Sequence, residues 1–359
     1  MPEKTLHNGQ ARLIYGLPNI ESLRSLDADS VHCVITSPPY WGLRDYGDPG
    51  QLGLEATPQD FVASMVAVFD EVRRVLHPSG TLWLNLGDSY NAKQLAGIPW
   101  RVAFALQAAG WWLRQEVIWH KPNPMPESCT DRCTKAAESI FLLTKAPRYF
   151  FDAAAISEPA GDEPAGNSKR IAPAARGCPD GGAGNMAAGV PWSGSTRNRR
   201  NVWTIPTQAY TGAHFAVFPE AIPRLCILAG TSEAGVCSVC LAPLERQSEK
   251  VGERKDRWAS QNNFDGYRER QTTAIYQTTS WTKTCACADG ETVPATVLDP
   301  FSGSGTTGKV ALQLGRRYVG LDVNADYLDL ALRRVDHYQS DDAAQETQGQ
   351  QSLFDGVDQ

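Results

Sequence analysis

The chain has 359 residues, of which 42% are hydrophobic and 21% charged, and its 34 basic and 40 acidic residues give a formal net charge of −6. This composition is typical of a globular enzyme and excludes a fibrous or fully disordered chain. Its apolar runs are far shorter than the roughly 20 residues that span a bilayer, and residues 1–10 lack a secretory signal pattern, so we expect a cytoplasmic protein whose nine cysteines stay reduced.

Strand and helix patterns alternate along the first 150 residues. Val31–Thr36 predicts a strand that delivers Ser37-Pro38-Pro39-Tyr40 at its carboxyl end, because residues before proline favour extended backbone. The pattern then predicts a helix over Phe61–Leu76 that ends at Pro78-Ser79-Gly80, a strand over Thr81–Leu86, a helix over Pro99–Ala109, and strands near Leu113–Trp119 and Ser139–Thr144. This alternation favours an α/β fold with a largely parallel sheet.

Two segments interrupt the alternation. Residues 152–190 are rich in Gly, Pro, Ala and Ser, and residues 231–293 are polar and carry cysteines. Regular patterning returns around Phe215–Ala229, and a last βαβ unit comprises strand Ala295–Leu298, helix Thr306–Leu314, strand Arg317–Leu321 and helix Ala325–His337. Beyond Tyr338 the composition predicts a disordered tail.

A glycine-rich turn, Asp299 to Lys309, joins the first strand and helix of that unit. The backbone N–H groups of a helix N-terminus favour an anionic or polar ligand. As the phosphate loop of an ATPase the turn is incomplete, because Val310 follows where a hydroxyl would bind magnesium. As a dinucleotide fingerprint it offers three glycines and a later carboxylate that would accept hydrogen bonds from the hydroxyls of an adenosine ribose, namely Gly303, Gly305, Gly308 and Asp322. A nicotinamide cofactor and S-adenosylmethionine both fit this pattern, and a tight turn without a ligand is the third interpretation.

Thr36–Trp41 should face the same cleft, because ligands in open α/β sheets bind outside the carboxyl ends of the strands. Its chemistry suits an exocyclic aromatic amine, whose lone pair is delocalised into the ring. The two prolines present carbonyls without competing N–H groups, so these carbonyls and the Ser37 hydroxyl can accept both amine protons while Tyr40 stacks on the base. Such a base must leave the duplex, which implies base flipping. A packed proline turn is the alternative, and a nicotinamide oxidoreductase would leave the segment without a role.

Together these motifs resemble the amino-group DNA methyltransferases of the permuted class, in which the catalytic motif precedes the cofactor motif. TSPPYWGLRDYG (36–47) is similar to the catalytic motif of that family, and VLDPFSGSGTTGKVALQLGRRYVGLDVN (297–324) to its S-adenosylmethionine motif. The resemblance covers about residues 12–150, 200–230 and 295–338. It implies a Rossmann-like, S-adenosylmethionine-dependent methyltransferase fold with circularly permuted motif order and two insertions.

The resemblance also implies roles for individual residues. Ser37, Pro38, Pro39 and Tyr40 would hold and activate the target amine for direct methyl transfer. The cofactor would be bound by the glycine-rich turn and flanking side chains, namely Asp299, Phe301, Gly303, Ser304, Gly305, Thr306, Thr307, Asp322, Phe215 and Pro219. In this family a serine at the first position of the catalytic motif more often accompanies N4 methylation of cytosine, and an aspartate N6 methylation of adenine. Ser37 therefore favours cytosine, with adenine as the alternative.

The expected domain order has six parts. They are the catalytic half (1–150), a Gly/Pro-rich, arginine-bearing target-recognition segment (151–213), a return to the methyltransferase domain (214–230), a cysteine-bearing insertion (231–293), the cofactor half (294–338) and the tail (339–359). Arg197, Arg199 and Arg200 are candidate contacts to DNA phosphates or guanine edges. A solvated run of charge is the alternative for these arginines.

The cysteine pairs Cys237-x-x-Cys240 and Cys285-x-Cys287 suggest a tetrahedral zinc site in the insertion. Zinc would stabilise a segment that has little core of its own, and scattered reduced cysteines are the alternative. A non-catalytic, DNA-binding zinc module would require loss of Asp322 or of the SPPY motif, and the sequence retains both.

The expected macromolecular partners are double-stranded DNA, a cognate restriction endonuclease and a replication sliding clamp, with no membrane. Gln350–Phe354 is similar to the short peptide by which bacterial proteins dock on the clamp. A Leu-Phe pair in a polar tail has no core to join, and exposed apolar anchors often mark a binding peptide. We expect a bacterial or phage-encoded protein that belongs to a restriction-modification system or acts alone.

Overall fold

The computed structural model describes residues 3–45, 47–48, 50–159, 196–208, 218–255, 272–288 and 290–338. The strands are β1 (Glu3–Leu6), β2 (Ala11–Tyr15), β3 (Val31–Thr36), β4 (Leu76–Leu86), β5 (Tyr90–Asn91), β6 (Gln94–Leu95), β7 (Trp112–His120), β8 (Ala137–Thr144), β9 (Glu158–Pro159), β10 (Thr196–Arg197), β11 (Val202–Thr204), β12 (Val236–Cys237), β13 (Leu244–Lys255), β14 (Thr272–Lys283), β15 (Thr292–Val293), β16 (Thr296–Asp299) and β17 (Arg317–Asp322). The helices are α1 (Asn19–Arg24), α2 (Pro58–Val75), α3 (Ile98–Ala108), α4 (Ala221–Gly230), α5 (Thr306–Gln313) and α6 (Leu328–Asp336). Short 3₁₀ helices cover His7–Gly9 and Ala325–Tyr327.

Nine strands form one mixed sheet in the order β1-β2-β17-β16-β3-β4-β8-β7-β11. The strands from β2 to β4 in this order run parallel, whereas β8 runs antiparallel to both of its neighbours. The sheet is largely parallel, as predicted, but the prediction did not include the reversed direction of β8. The physical reason is the connection between β7 and β8, residues 121–136, which contains no helix and returns the chain in the opposite direction.

The middle of the sheet combines distant parts of the chain. β16 lies between β3 and β17, and Val297 pairs with Cys33 while Leu298 pairs with Val34. The strand that ends before Ser37 and the strand that ends at Asp299 are therefore parallel neighbours. This arrangement brings the Ser37 segment, which comes early in the chain, beside the glycine-rich segment, which comes late, in the middle of one α/β sheet.

Helix α2 packs its apolar face on the sheet. Thr57 caps the helix by accepting a hydrogen bond from the Asp60 N–H at 3.2 Å, and Phe61 and Met65 belong to the buried core. The expectation that Pro78 to Gly80 separates helix from strand is wrong. The helix ends at Val75 because Leu76 already has extended backbone, and β4 continues through Pro78.

The described chain divides into two compact units. The first comprises 1–152, 200–245 and the residues from 283 onward, and it contains the nine-stranded sheet. The second comprises 153–199 and 246–282 and contains the paired strands β9 and β10. Within the predicted cysteine-bearing insertion, only 246–282 groups apart from the sheet. Among the described residues, no helix has the length and apolarity needed to cross a membrane.

Candidate active site

A cleft open to solvent lies at the carboxyl ends of β3, β16 and β17, and the space within it and at its mouth is about 910 Å³. Ser37 and Pro39 line it on one side, and the glycine-rich turn with Asp322 lines it on the other. The lining also includes Asn19, Gln51, Leu52, Phe218, Asp299, Phe301, Ser302, Gly303, Ser304, Thr306, Val323, Asn324, Tyr327 and Leu330. The structure thus brings the two motifs together in one space, although they lie more than 250 residues apart in the sequence.

Asp299 holds the glycine-rich turn in place. Its carboxylate is 2% exposed and accepts hydrogen bonds from the Thr36 and Thr307 hydroxyls, both at 2.7 Å, and from the Phe301 N–H at 3.1 Å. Burial raises the pKa of Asp299 to about 6, against the opposing effect of these three donors. The carboxylate therefore ties the end of β3 to the start of α5, and much of its hydrogen-bonding capacity is used within the protein.

Asp322 ends β17 with its carboxylate at the cleft. One oxygen accepts a hydrogen bond from the Gly303 N–H at 2.8 Å, and the other from the Asn324 N–H at 3.0 Å. Burial raises the pKa of Asp322 to about 6, while the two N–H donors act in the opposite direction. The remaining lone pairs make this carboxylate suitable for binding the hydroxyl groups of a nucleoside.

Two glycines of the turn are required for different structural reasons. Gly305, at φ +79°, is the N-cap residue of α5, where a left-handed conformation suits glycine. Gly308 lies against Tyr318, and a Cβ atom on it would lie 2.4 Å from the tyrosine ring. This close packing of helix on strand matches the role of the third glycine in a nucleoside-binding fingerprint.

Lys309 does not act as a phosphate-binding lysine. Its side chain is buried, and its ammonium group forms an ion pair with Glu220 at 3.2 Å. Arg334 contacts the same carboxylate at 3.1 Å. The ATPase interpretation of the turn is therefore excluded on the structure as well as on the missing hydroxyl.

A polar network fixes Tyr40, the aromatic residue that follows the two prolines. The Tyr40 hydroxyl donates a hydrogen bond to Glu138 Oε2 at 2.7 Å. Asn85 Nδ2 donates to the Tyr40 hydroxyl oxygen at 2.9 Å and to Glu138 Oε2 at 3.0 Å. Ser37 Oγ lies 3.3 Å from both the Tyr40 hydroxyl and Asn85 Nδ2. Lys121 forms an ion pair with the other oxygen of Glu138. The network holds Ser37 and Tyr40 in one arrangement and compensates the carboxylate charge.

Other predicted residues surround the cleft in supporting positions. Pro38 is buried beside Pro39, and the Tyr40 ring packs so closely on Gly87 that a Cβ atom there would lie 2.4 Å from it. Phe218 lines the cleft, whereas Pro219 is buried and its carbonyl accepts a hydrogen bond from Ile222. Phe215 lies outside the described residues.

Sequence reasoning missed Asn85, Glu138 and Lys121 as members of the site. Their position depends on the direction of β8, because the register pairs Leu86 with Ser139 and thereby brings Glu138 to the end of β4 that carries Asn85. In a parallel arrangement Glu138 would lie at the opposite edge. The sequence signal for Asn85 and Glu138 is that each is a polar residue near the end of a strand with a run of buried apolar residues, whereas Lys121 follows the partly polar strand β7.

The predicted DNA-binding arginines already have partners within the chain. Arg197 forms an ion pair with Glu158 at 2.8 Å, and Arg199 Nε donates a hydrogen bond to the Ile156 carbonyl at 2.8 Å. Arg200 is exposed. Contact with DNA stays a prediction for all three, and the predicted clamp-binding peptide Gln350–Phe354 lies outside the described residues.

The family model, the similar sequences and the similar solved structure are all DNA methylases or methyltransferases. Residues 31–238 and 292–333 match the family model of the N6/N4 DNA methylases. The chain is 36% identical over 344 residues to the Type II methyltransferase M.SmaI of Serratia marcescens, covering 88% of this chain and 87% of that protein. It is 34% identical over 342 residues to M.Cfr9I of Citrobacter freundii, covering 87% and 84%. Among solved structures it resembles PvuII DNA methyltransferase (cytosine-N4-specific), with a TM-score of 0.55, 16% identity, and coverage of 90% and 86%, a likeness of fold.

Proposed function

The chain belongs to the N6/N4 DNA methylase family, and from this premise we propose that it methylates the N4 amine of cytosine in double-stranded DNA. As a member of that family it is a DNA methyltransferase that uses S-adenosylmethionine. One observation carries the assignment of the site: Ser37 and Pro39 share a single cleft with Asp322 and the glycine-rich turn. Methyl acceptor and methyl donor can therefore meet in the same space.

The residues of the cleft fit S-adenosylmethionine. Asp322 offers a carboxylate for the ribose hydroxyls, and Phe301, Phe218 and Leu330 offer apolar walls for the adenine ring. Ser304 and Thr306 line the cleft and offer hydroxyls and backbone N–H groups near the start of α5 for the methionine part. When bound, the cofactor supplies a methyl group that is activated by a positively charged sulfur.

The catalytic segment acts on the amine. The amine nitrogen would gain positive charge as it takes the methyl group that the bound cofactor would supply, and this charge would be lost when a proton passes from the nitrogen to water. The Ser37 hydroxyl and the proline carbonyls can accept hydrogen bonds from the two amine N–H groups and draw the nitrogen out of conjugation with the ring. The carboxylate of Glu138, hydrogen-bonded to Tyr40, favours positive charge developing nearby. These groups are held before the reaction, which lowers the cost of orienting them.

Ser37 supports cytosine as the target. The resemblance to the family associates a serine at this position with N4 methylation. The surroundings are also built for a neutral group, because Ser37 Oγ lies 3.3 Å from Tyr40 Oη, which donates to the Glu138 carboxylate. An aspartate at position 37 would add a second negative charge beside Glu138, which has Lys121 as its ion-pair partner. A hydroxyl avoids that repulsion.

The test is to identify the methylated base. The purified protein is incubated with S-adenosylmethionine and unmethylated genomic DNA, the DNA is digested to nucleosides, and the products are analysed by mass spectrometry, with a reaction lacking the cofactor as control. N4-methylcytosine is expected. N6-methyladenine would overturn the choice of base and keep the mechanism, whereas the absence of any methylated base would refute the proposed function.

The similar proteins also point to a role in restriction and modification of DNA. M.SmaI and M.Cfr9I are Type II methyltransferases by name, and we infer that this chain likewise protects a specific DNA sequence from a restriction endonuclease. Mapping the methylated positions would give that sequence. Plasmid DNA methylated by the protein should then resist an endonuclease that cuts there, and cleavage as fast as that of unmethylated plasmid would contradict the inference.

A further inference from the structure

Four cysteine side chains from two separate segments meet at the amino ends of the central strands. The sulfur atoms of Cys237, Cys240, Cys285 and Cys287 all lie within 4.8 Å of one another, and all four thiols are free. Four sulfurs around a tetrahedral zinc ion, each about 2.3 Å from the metal, are about 3.8 Å apart. We propose that these four thiolates bind one structural Zn²⁺ ion.

The backbone around Cys237 has the shape of a metal-binding turn. The N–H groups of Val239 and Cys240 hydrogen-bond to the Cys237 sulfur, and the Leu241 N–H donates to the Cys237 carbonyl at 2.9 Å. Two backbone N–H groups therefore point at this sulfur, so the turn is folded around it. Leu241 itself has φ +61°, a left-handed conformation that a non-glycine residue adopts only when its surroundings fix it.

The segment around Gly290 packs directly against the Cys237 turn, and no side chain of Gly290 lies between them. A Cβ atom on Gly290 would lie 2.5 Å from Cys237 Sγ, so only glycine leaves this sulfur its place in the cluster. The Ser238 N–H donates to the Glu291 carbonyl at 2.9 Å, and β12 pairs with β15. Main-chain pairing therefore holds the two segments together around the four sulfurs.

Two buried histidines attach this turn to the sheet. The rings of His32 and His77 stack with their centroids 5.6 Å apart. Each histidine is the second residue of its strand, β3 or β4. His32 Nε2 lies 3.1 Å from the Leu241 carbonyl, and His32 Nδ1 accepts a hydrogen bond from the Thr296 N–H at 3.0 Å. His77 hydrogen-bonds to the backbone of Cys240.

The position of the cluster defines the role of the ion. His32, His77 and Thr296 stand at the amino ends of their strands, whereas Ser37 and Asp299 stand at the carboxyl ends. A zinc ion here is remote from the methyl-transfer cleft and has four protein ligands, which is the composition of a structural site. Its ligands precede β13 and follow β14 in the chain, so the ion would also hold the two ends of that strand pair together.

Metal analysis of the purified full-length protein tests the proposal. Inductively coupled plasma mass spectrometry should find about one zinc per chain. After exchange, Co²⁺ should give the visible absorption bands of tetrahedral tetrathiolate coordination, a signal that does not depend on methyltransferase activity. Zinc below about 0.1 per chain together with no cobalt bands would overturn the proposal, as would stoichiometric iron in place of zinc.

Matched cysteine variants locate the site. In Cys285→Ser/Cys287→Ser, bound zinc after dialysis should fall at least roughly tenfold, because half of the ligands are lost. The control is Cys129→Ser/Cys133→Ser, which removes two thiols outside the cluster and should keep one zinc. Equal zinc loss in both variants would overturn the ligand assignment. If the first variant does not fold, the cobalt spectrum of the unaltered protein still decides whether a tetrathiolate site exists.

Discussion

Replacing Asp322 with asparagine should weaken S-adenosylmethionine binding strongly and leave the fold about as stable as before. The carboxylate lines the cleft while it accepts hydrogen bonds from the Gly303 and Asn324 N–H groups at 2.8 and 3.0 Å. Asparagine has one oxygen and one NH₂ group in place of two oxygens. One backbone N–H group therefore loses its acceptor, and the cleft loses the negative charge of this side chain.

Two opposing effects determine the change in stability. Burial raises the pKa of Asp322 from 3.8 to about 6, so the ionised carboxylate costs the folded protein about 3 kcal/mol at neutral pH, at about 1.36 kcal/mol per pKa unit. Asparagine removes that cost. The unpaired N–H group costs about 1–3 kcal/mol, so the free energy of unfolding should change by less than about 2 kcal/mol.

For the affinity for S-adenosylmethionine, no favourable effect offsets the loss of the carboxylate. A hydrogen bond to a charged group contributes about 1.5–3 kcal/mol, which corresponds to a rise in Kd of roughly 10- to 150-fold. Isothermal titration calorimetry measures the Kd, and urea unfolding measures the stability. Asp326→Asn is the control, since Asp326 is an exposed carboxylate close by in the chain, and its Kd should stay within about twofold. A Kd for Asp322→Asn within about threefold of the original would refute the ribose-binding role.

Three further results are expected. Tyr40→Ala should lower kcat for methyl transfer at least roughly 100-fold with cofactor Kd nearly unchanged, because the ring and its bond to Glu138 are lost; unchanged turnover in a radiolabelled-methyl assay would contradict this. Below pH 6, protonation of Asp322 should weaken cofactor binding, so Kd at pH 5 should be about tenfold above Kd at pH 7, and a flat profile from calorimetry would argue against the raised pKa. Gly308→Ala should lower the free energy of unfolding by about 1–3 kcal/mol, because its Cβ would meet the Tyr318 ring, whereas Gly252→Ala, with open space around it, should change stability little; equal urea midpoints would contradict the close packing.

Sequence reasoning succeeded where the chemistry depends on local spacing. Val31–Thr36 was predicted as a strand and is β3, because β-branched residues run up to a pair of prolines that end it. The glycine-rich turn and Asp322 were paired correctly because a strand, a tight turn and a helix N-terminus follow one another within a short stretch of chain. The shared cleft followed from the rule that ligands bind at the carboxyl ends of parallel strands.

Sequence reasoning failed where the answer depends on direction and partners in three dimensions. Nothing local fixes β8 as antiparallel, and this direction is what brings Glu138 to Tyr40. The strand through Pro78 was also missed, since a proline and a glycine usually end regular structure. The register of β4 with β3 shifts at this point, since Val31 pairs with Leu76 and Cys33 already pairs with Thr81.

The place of β16 in the middle of the sheet has a consequence for synthesis of the protein. Cys33 pairs with Val297, which is synthesised 264 residues later. At translation rates of about 5–20 residues per second, the two residues are made roughly 13–53 s apart. During that time β3 has an open, apolar edge, a feature prone to aggregation and a natural target for chaperones on the ribosome. Such long-range pairing also slows folding. The nascent chain therefore cannot methylate DNA until its last two strands have left the ribosome.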